Sequence, residues 1–129
     1  MSDRLGRERT MTIYFLIQGV LTLSIPLAAF HPASFITIVT LLGLMWGPIF
    51  TFFPSVVADY YGRKNSTANY GLTYTAKGWG GSLGGYILAL LATVYGGYIM
   101  PIIISAIFSF SAAALVAPGI LKRPRYPEK

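Results

Sequence analysis

The sequence predicts an all-α membrane protein of four transmembrane helices, and three observations lead there. Of its 129 residues, 54% are hydrophobic and 11% charged, giving a mean hydropathy of +0.60. No Asp, Glu, Lys or Arg occurs from Thr10 to Ala58 or from Gly78 to Leu121. Both runs exceed the ~20 residues that cross a hydrocarbon core, so turns must divide them. Finally, once the chain is folded into four crossings, every one of its ten Lys and Arg residues except Lys77 falls on the same side. Most of the chain is therefore expected to be solvated by lipid, and the net charge of +6 reports orientation rather than nucleic-acid binding.

The first helix reads from about 11 to 30, with Pro26 as a kink and His31-Pro32-Ala33-Ser34 as the turn. His31 is a loop residue there, not a ligand or proton relay. A second helix runs from about 35 to 59 and contains Pro48 and Pro54, so two backbone donors are missing and a bend is expected. The polar connection Tyr60 to Asn69 supplies capping residues for a third helix, about 69 to 93. Tyr95-Gly96-Gly97-Tyr98 breaks the apolar run before a fourth helix of about 98 to 118, which Pro118-Gly119 closes. Residues 119–129 form a short charged tail. Arg4, Arg7, Arg9, Arg63, Lys64, Lys122, Arg123, Arg125 and Lys129 share one side, which the positive-inside rule makes cytoplasmic. The expectation is a multi-pass protein of the plasma membrane, the inner membrane in a bacterium, with both termini in the cytoplasm. The apolar start extends past signal-peptide length and lacks a small-residue cleavage pattern.

Lys77 is the exception that needs a cause. From a helix start near Asn69 it lies about 12 Å along the axis, where an ammonium costs roughly 2.5 to 3.5 kcal/mol by insertion scales. The predicted spans contain no Asp or Glu other than Asp59 at a helix end, so the sequence provides no evident counter-ion. One reading is structural: the stem leans toward the cytoplasmic end and the ammonium snorkels to the interface. The other places Lys77 on a wet cavity facing an anionic substrate. Tyr70, Thr73, Tyr74, Gly80, Gly81 and Gly84 fall on the same helix face, and hydroxyls with small residues suit a cavity better than lipid. Trp46 and Phe50, one turn apart on the second helix, are core aromatics or, with Tyr74, the walls of a compact low-dielectric site around the charge. Gln18 would add an amide, but its face is not fixed by the sequence.

Small residues form two ladders on the third helix, Ala76, Gly80 and Gly84, and Gly81, Gly85 and Ala89; such surfaces let membrane helices approach closely. Gly80, Gly81, Gly84 and Gly85 are accordingly expected to be helix-packing residues. The sequence has no cysteine, paired carboxylates, zinc-ligand spacing, nucleophile triad or phosphate-binding loop. No enzyme, metal or cofactor is expected.

Asp3, Gly6 and Arg7 recur at identical spacing as Asp59, Gly62 and Arg63, each set leading into a helix on the cytoplasmic side. Asp3-Arg4-Leu5-Gly6-Arg7, followed by Glu8-Arg9, resembles the cytoplasmic loop signature of the major facilitator superfamily, without its customary preceding glycine. Asn69-Tyr70-Gly71 through Ala76-Lys77-Gly78, together with Ala58-Asp59-Tyr60-Tyr61-Gly62, resembles the oxalate/formate antiporter branch. The resemblance covers nearly the whole chain but only the last four helices of an expected twelve. It implies that Lys77 occupies the position of a lysine that binds dicarboxylate. It also implies aromatic lining from the preceding helix: Trp46 matches one such residue, and Phe50 stands where a tyrosine is expected, removing a hydroxyl contact. A second cationic residue of the family lies upstream of Met1 in the family arrangement.

Together these features lead to an expected C-terminal segment of a carrier for small mono- or dicarboxylates, working by anion exchange in its full-length form. Lys77, Trp46, Phe50 and Tyr74 bind the substrate, and the partners are the lipid bilayer, a small anionic carboxylate and an N-terminal transporter half or other membrane helices. The alternative is a small four-helix membrane interaction or assembly protein with no transport activity.

Overall fold

The computed structural model describes residues 6–61, 66–118 and 120, excluding the side chains of Arg7 and Ser66. These residues form five helical pieces: α1 (Arg7–Ala28), α2 (Pro32–Leu44), α3 (Trp46–Tyr61), α4 (Ser66–Val94) and α5 (Ile99–Leu115). No strand occurs among them.

Each boundary has a local cause. Gly6 precedes α1 at φ +83°, a left-handed conformation that costs glycine little, and Glu8 sits in the first turn, where a carboxylate complements the helix dipole. Pro32 opens α2 at a position whose N–H has no helical partner, so its missing donor costs nothing. The sequence suggested one bent helix over 35–59; the break instead falls at Met45, between α2 and α3. Proline explains the placement. The ring of Pro48 collides with the carbonyl four residues earlier, that of Leu44, and gives it no N–H, so the ladder fails where α2 stops. Pro48 itself then occupies the first turn of α3, where it is tolerated. Pro54 lies inside α3 without ending it.

At the far end of α4, the N–H of Gly97 donates to the Ala92 carbonyl at 3.0 Å and that of Tyr95 to Leu91 at 2.9 Å, while Gly96 adopts φ +66°. This six-to-one closure needs a left-handed residue and explains why the chain turns at the Gly96-Gly97 pair.

Two stretches are long and apolar enough to cross a membrane: Glu8–Ala28, of 21 residues, and the bent Pro32–Tyr61, of 30 residues. At 1.5 Å per residue these span about 31 and 45 Å. The other two expected crossings fall short for different reasons. α4 has 29 residues but is diluted by glycine, tyrosine and Lys77, and α5 is strongly apolar but only 17 residues long.

α1 packs most extensively on α5. A Cβ built on Gly19 of α1 would lie 2.8 Å from the Phe110 ring of α5, closer than packed atoms can approach, so glycine is what lets the ring lie against the α1 backbone. The Thr12 hydroxyl shares its proton between the Glu8 carbonyl of its own helix at 2.9 Å and, more weakly, the Val116 carbonyl just past α5 at 3.3 Å, a contact between the same two helices at one end. At that end the Tyr60 hydroxyl of α3 donates to Glu8 Oε1 of α1 at 2.7 Å. The start of α1 and the ends of α3 and α5 therefore lie together. Buried apolar residues are few, among them Met11, Tyr14, Val57, Ala106 and Ala113, while large side chains such as Leu27, Phe30, Leu72 and Phe108 are more than two-thirds exposed. An apolar surface this extensive belongs against lipid or further helices.

Candidate functional site

α3 and α4 pack against each other and α1 contacts α3, while among the described residues no backbone position of α1 comes close to one of α4. The space between these three helices is a cavity of about 530 Å³. Phe15 and Gln18 of α1, Trp46 and Phe50 of α3, and Tyr74 and Lys77 of α4 are among its lining residues.

Lys77 is half-buried, and its Nζ lies 3.4 Å from the centroid of the Phe50 ring, 5.1 Å from that of Trp46 and 5.3 Å from that of Tyr74. The spacing that produces this arrangement is simple. Trp46 and Phe50 are four residues apart on α3, so their rings share a face; Tyr74 precedes Lys77 by three on α4, and the lysine stem leans back over it. Tyr74 is extended by Tyr70, ring centroids 5.5 Å apart, and reaches Phe50 at 6.5 Å. Cation–π contacts contribute from about 0.5 kcal/mol where exposed to about 2 kcal/mol where desolvated. Three of them are comparable with the roughly 2.5 to 3.5 kcal/mol charged against an ammonium at mid-bilayer. With α4 in a bilayer, the rings would offset part of the cost of a cation at that depth.

The two carboxylates among the described residues, Glu8 and Asp59, stand in the first turn of α1 and the last turns of α3, at the end away from Trp46. Lys77 lies 11 residues into α4, about 17 Å from its start, and Phe50 an equal number of residues from the end of α3. The ammonium therefore stays level with Phe50 rather than reaching the helix end. The rings around it remain accessible: Trp46 is 59% exposed, Tyr74 44% and Phe50 43%. An ammonium donates and cannot accept, so this arrangement offers a cation beside three aromatic faces, with no hydrogen-bond acceptor on it among the described residues.

All four residues expected to bind substrate meet at this point. The glycines divide differently. Gly80 and Gly81 line the cavity, and a Cβ at Gly80, Gly81, Gly84 or Gly85 would meet no atom within 4 Å. Among the described residues nothing packs against them, so a packing role for this surface needs a helix beyond these. Of the two motifs expected on the cytoplasmic side, Gly6 and Asp59 are described as above; Asp3, Gly62 and Arg63, and the side chain of Arg7, lie outside the described residues. The sequence alone does not fix the face of Gln18. It lines the cavity from α1, and its Oε1 is buried with no hydrogen-bond partner among the described residues. Its signal was available: it is the sole side-chain amide in an apolar span.

The chain belongs to the Major Facilitator Superfamily, whose family model matches residues 1–129. The superfamily is one of non-catalytic membrane carriers. The chain is similar to the "Oxalate:formate antiporter" of Oxalobacter formigenes, with 35% identity over 130 residues that cover 100% of this chain and 31% of the relative. It is also similar to the "Uncharacterized MFS-type transporter YhjX" of Escherichia coli (strain K12), with 30% identity over 80 residues, 62% of this chain and 20% of the relative. The chain thus spans less than a third of the length of either relative. No solved structure matches it.

Proposed function

We propose that this chain forms part of a secondary carrier for small carboxylates, working by anion exchange, and that Lys77 holds the carboxylate while Trp46, Phe50 and Tyr74 confine it. The observation that carries the reading is the Lys77 ammonium inside the cavity, ringed by aromatic faces and distant in sequence and depth from Glu8 and Asp59. A cation whose neighbours are π faces keeps its donors for an incoming anion, and a charge-assisted contact to a carboxylate is stronger than any one of the ring contacts it replaces. Low local dielectric strengthens that contact further. The name of the Oxalobacter relative adds oxalate and formate as the first substrates to try. In this reading the end carrying Glu8 and Tyr60 is cytoplasmic, the membrane is the plasma membrane, and further helices complete the permeation path and cover the glycines of α4.

Exchange in proteoliposomes tests it, with the complete reading frame that carries this chain and its Lys77→Ala form loaded with formate or oxalate. Wild type exchanges carboxylate saturably and the alanine form does not. Equal rate and equal half-saturation in the two forms removes Lys77 from the site. A reading as an assembly protein without transport draws on the open glycine surface; wild type inert toward every carboxylate offered would favour it.

A further inference from the structure

The three rings do not share the Lys77 ammonium equally. Its Nζ lies over the face of Phe50 at 3.4 Å from the centroid, in direct contact, whereas the Trp46 and Tyr74 centroids stand at 5.1 and 5.3 Å. Attraction between a charge and a ring quadrupole falls steeply with distance, so Phe50 is the principal ring partner even though indole is the better one at equal range. The contact crosses from α4 to α3, and both residues line the cavity. A carboxylate arriving at Nζ lowers the value of that contact. The ion pair presents less positive charge to the ring, and the negative ring face repels the incoming oxygens. Phe50 therefore stabilises the site more when it is empty than when it is loaded.

We propose that Phe50 competes with the substrate: its ring is the resting partner of the Lys77 ammonium, weakens carboxylate binding and speeds release. The proposal rests on Lys77 being the anion site and adds to the confining role of Phe50 an electrostatic one of opposite sign. An exchanger lets one anion go before it takes the next, and a desolvated ammonium is most costly in that interval. The Phe50 face gives the cation a partner then and yields it to the next carboxylate, whose charge-assisted contact is stronger. Without the ring, an ion pair in a low-dielectric cavity would be held more tightly and part more slowly. Binding energy that favours the loaded site alone slows turnover, so a residue that stabilises the empty site raises the rate at the expense of affinity.

The test replaces Phe50, in the complete reading frame, by mono-, di- and trifluorinated phenylalanine, which drain negative charge from the ring face while nearly keeping its shape. Equilibrium binding of oxalate and formate to the purified carrier, and maximal exchange in proteoliposomes, are then measured across the series. Affinity is expected to rise stepwise, by about three- to tenfold at the trifluorinated ring, the scale of one cation–π contact. The maximal exchange rate should fall in the same order. A methylated ring, bulkier but no poorer in electrons, should bind no more tightly than wild type. Phe50→Leu, which removes the face altogether, should also tighten binding; where leucine disturbs folding, the fluorinated series decides. Affinity that stays level or weakens with fluorination, a maximal rate that does not fall, or a methylated ring that tightens binding as much as the trifluorinated one overturns the competition. Failure of the underlying reading looks different: Lys77→Ala then binds oxalate and formate as well as wild type does, and the proposal falls with it.

Discussion

The α1–α5 pair and the α3–α4 pair use glycine in opposite ways. On α1, Gly19 is pressed under the Phe110 ring, and even a methyl group would lie 2.8 Å from it. On α4, the glycines from 80 to 85 have open space around them, and two of them border the cavity. The first pair is a close interface, with Thr12 reaching the Val116 carbonyl at one end; the second carries a cation, accessible rings and room for a solute. One half of the molecule is therefore arranged for stability and the other keeps its polar groups and space available. Substitutions should separate the two.

The largest expected difference is at Lys77. Truncating one side of a desolvated charge pair costs about 2 to 5 kcal/mol, so Lys77→Ala should lower carboxylate affinity by about a hundredfold. Its thermal midpoint in detergent should not fall, because the burial cost of the ammonium disappears together with its ring contacts. A variant that loses affinity and stability in step would erase the contrast between the halves.

Gly19→Val reverses that pattern. Two methyl groups cannot be placed against Phe110 without moving the ring or the helices, and overpacking of this kind costs about 1 to 3 kcal/mol. Thermal unfolding followed by circular dichroism should show the loss, with carboxylate affinity per folded molecule close to that of wild type. An unchanged midpoint would mean that the α1–α5 interface yields as easily as the open face of α4.

Part of this contrast was legible in the sequence. The absence of charge over two long runs pointed to lipid, and the isolation of Lys77 on a glycine-rich helix drew attention to one residue and to the aromatics one turn apart at 46 and 50. Those signals are local, since they depend on spacing within single helices. What stayed hidden depends on pairs of helices. Nothing in Ser24 or Gly19 tells which of them lies beneath an aromatic ring on a helix some 90 residues later, as Gly19 lies beneath Phe110. Gln18 was visible as an amide in an apolar span, but only the rotation of α1 against α3 turns it into the cavity. The Met45 break was readable in principle, because proline acts on the carbonyl four residues back; counting Pro48 and Pro54 alone blurred where the helix would part.

A smaller effect is expected where the two halves meet. Tyr60→Phe removes the hydroxyl that donates to Glu8 Oε1. Glu8 sits in the first turn of α1 near the end of the bundle, so water can replace the lost donor and the cost should stay near 1 kcal/mol. The shift should shrink further at high salt if other charges near Glu8 share its carboxylate. A loss as large as that of Gly19→Val would make this bond, rather than the glycine contact, the main fastening between α1 and the cavity half.

The smallest effect has the most informative sign. Gly85→Ala and Gly19→Ala make the same chemical change on two helices. In an open helical position, alanine gains about 0.5 to 1 kcal/mol over glycine because less backbone freedom is lost on folding. Gly85 has nothing within 4 Å of the new methyl, so the 129-residue chain in detergent should melt slightly higher with alanine there. At Gly19 the same gain is opposed by the Phe110 ring, and the midpoint should fall or stay level. The complete reading frame supplies the sharper comparison. If further helices cover the glycine face of α4, as the proposed carrier requires, Gly85→Ala must change sign there, stabilising the short chain and destabilising the long one. The same sign in both would leave that face open to lipid, and the difference between a closed and an available half would then hold for the whole protein rather than for these helices alone.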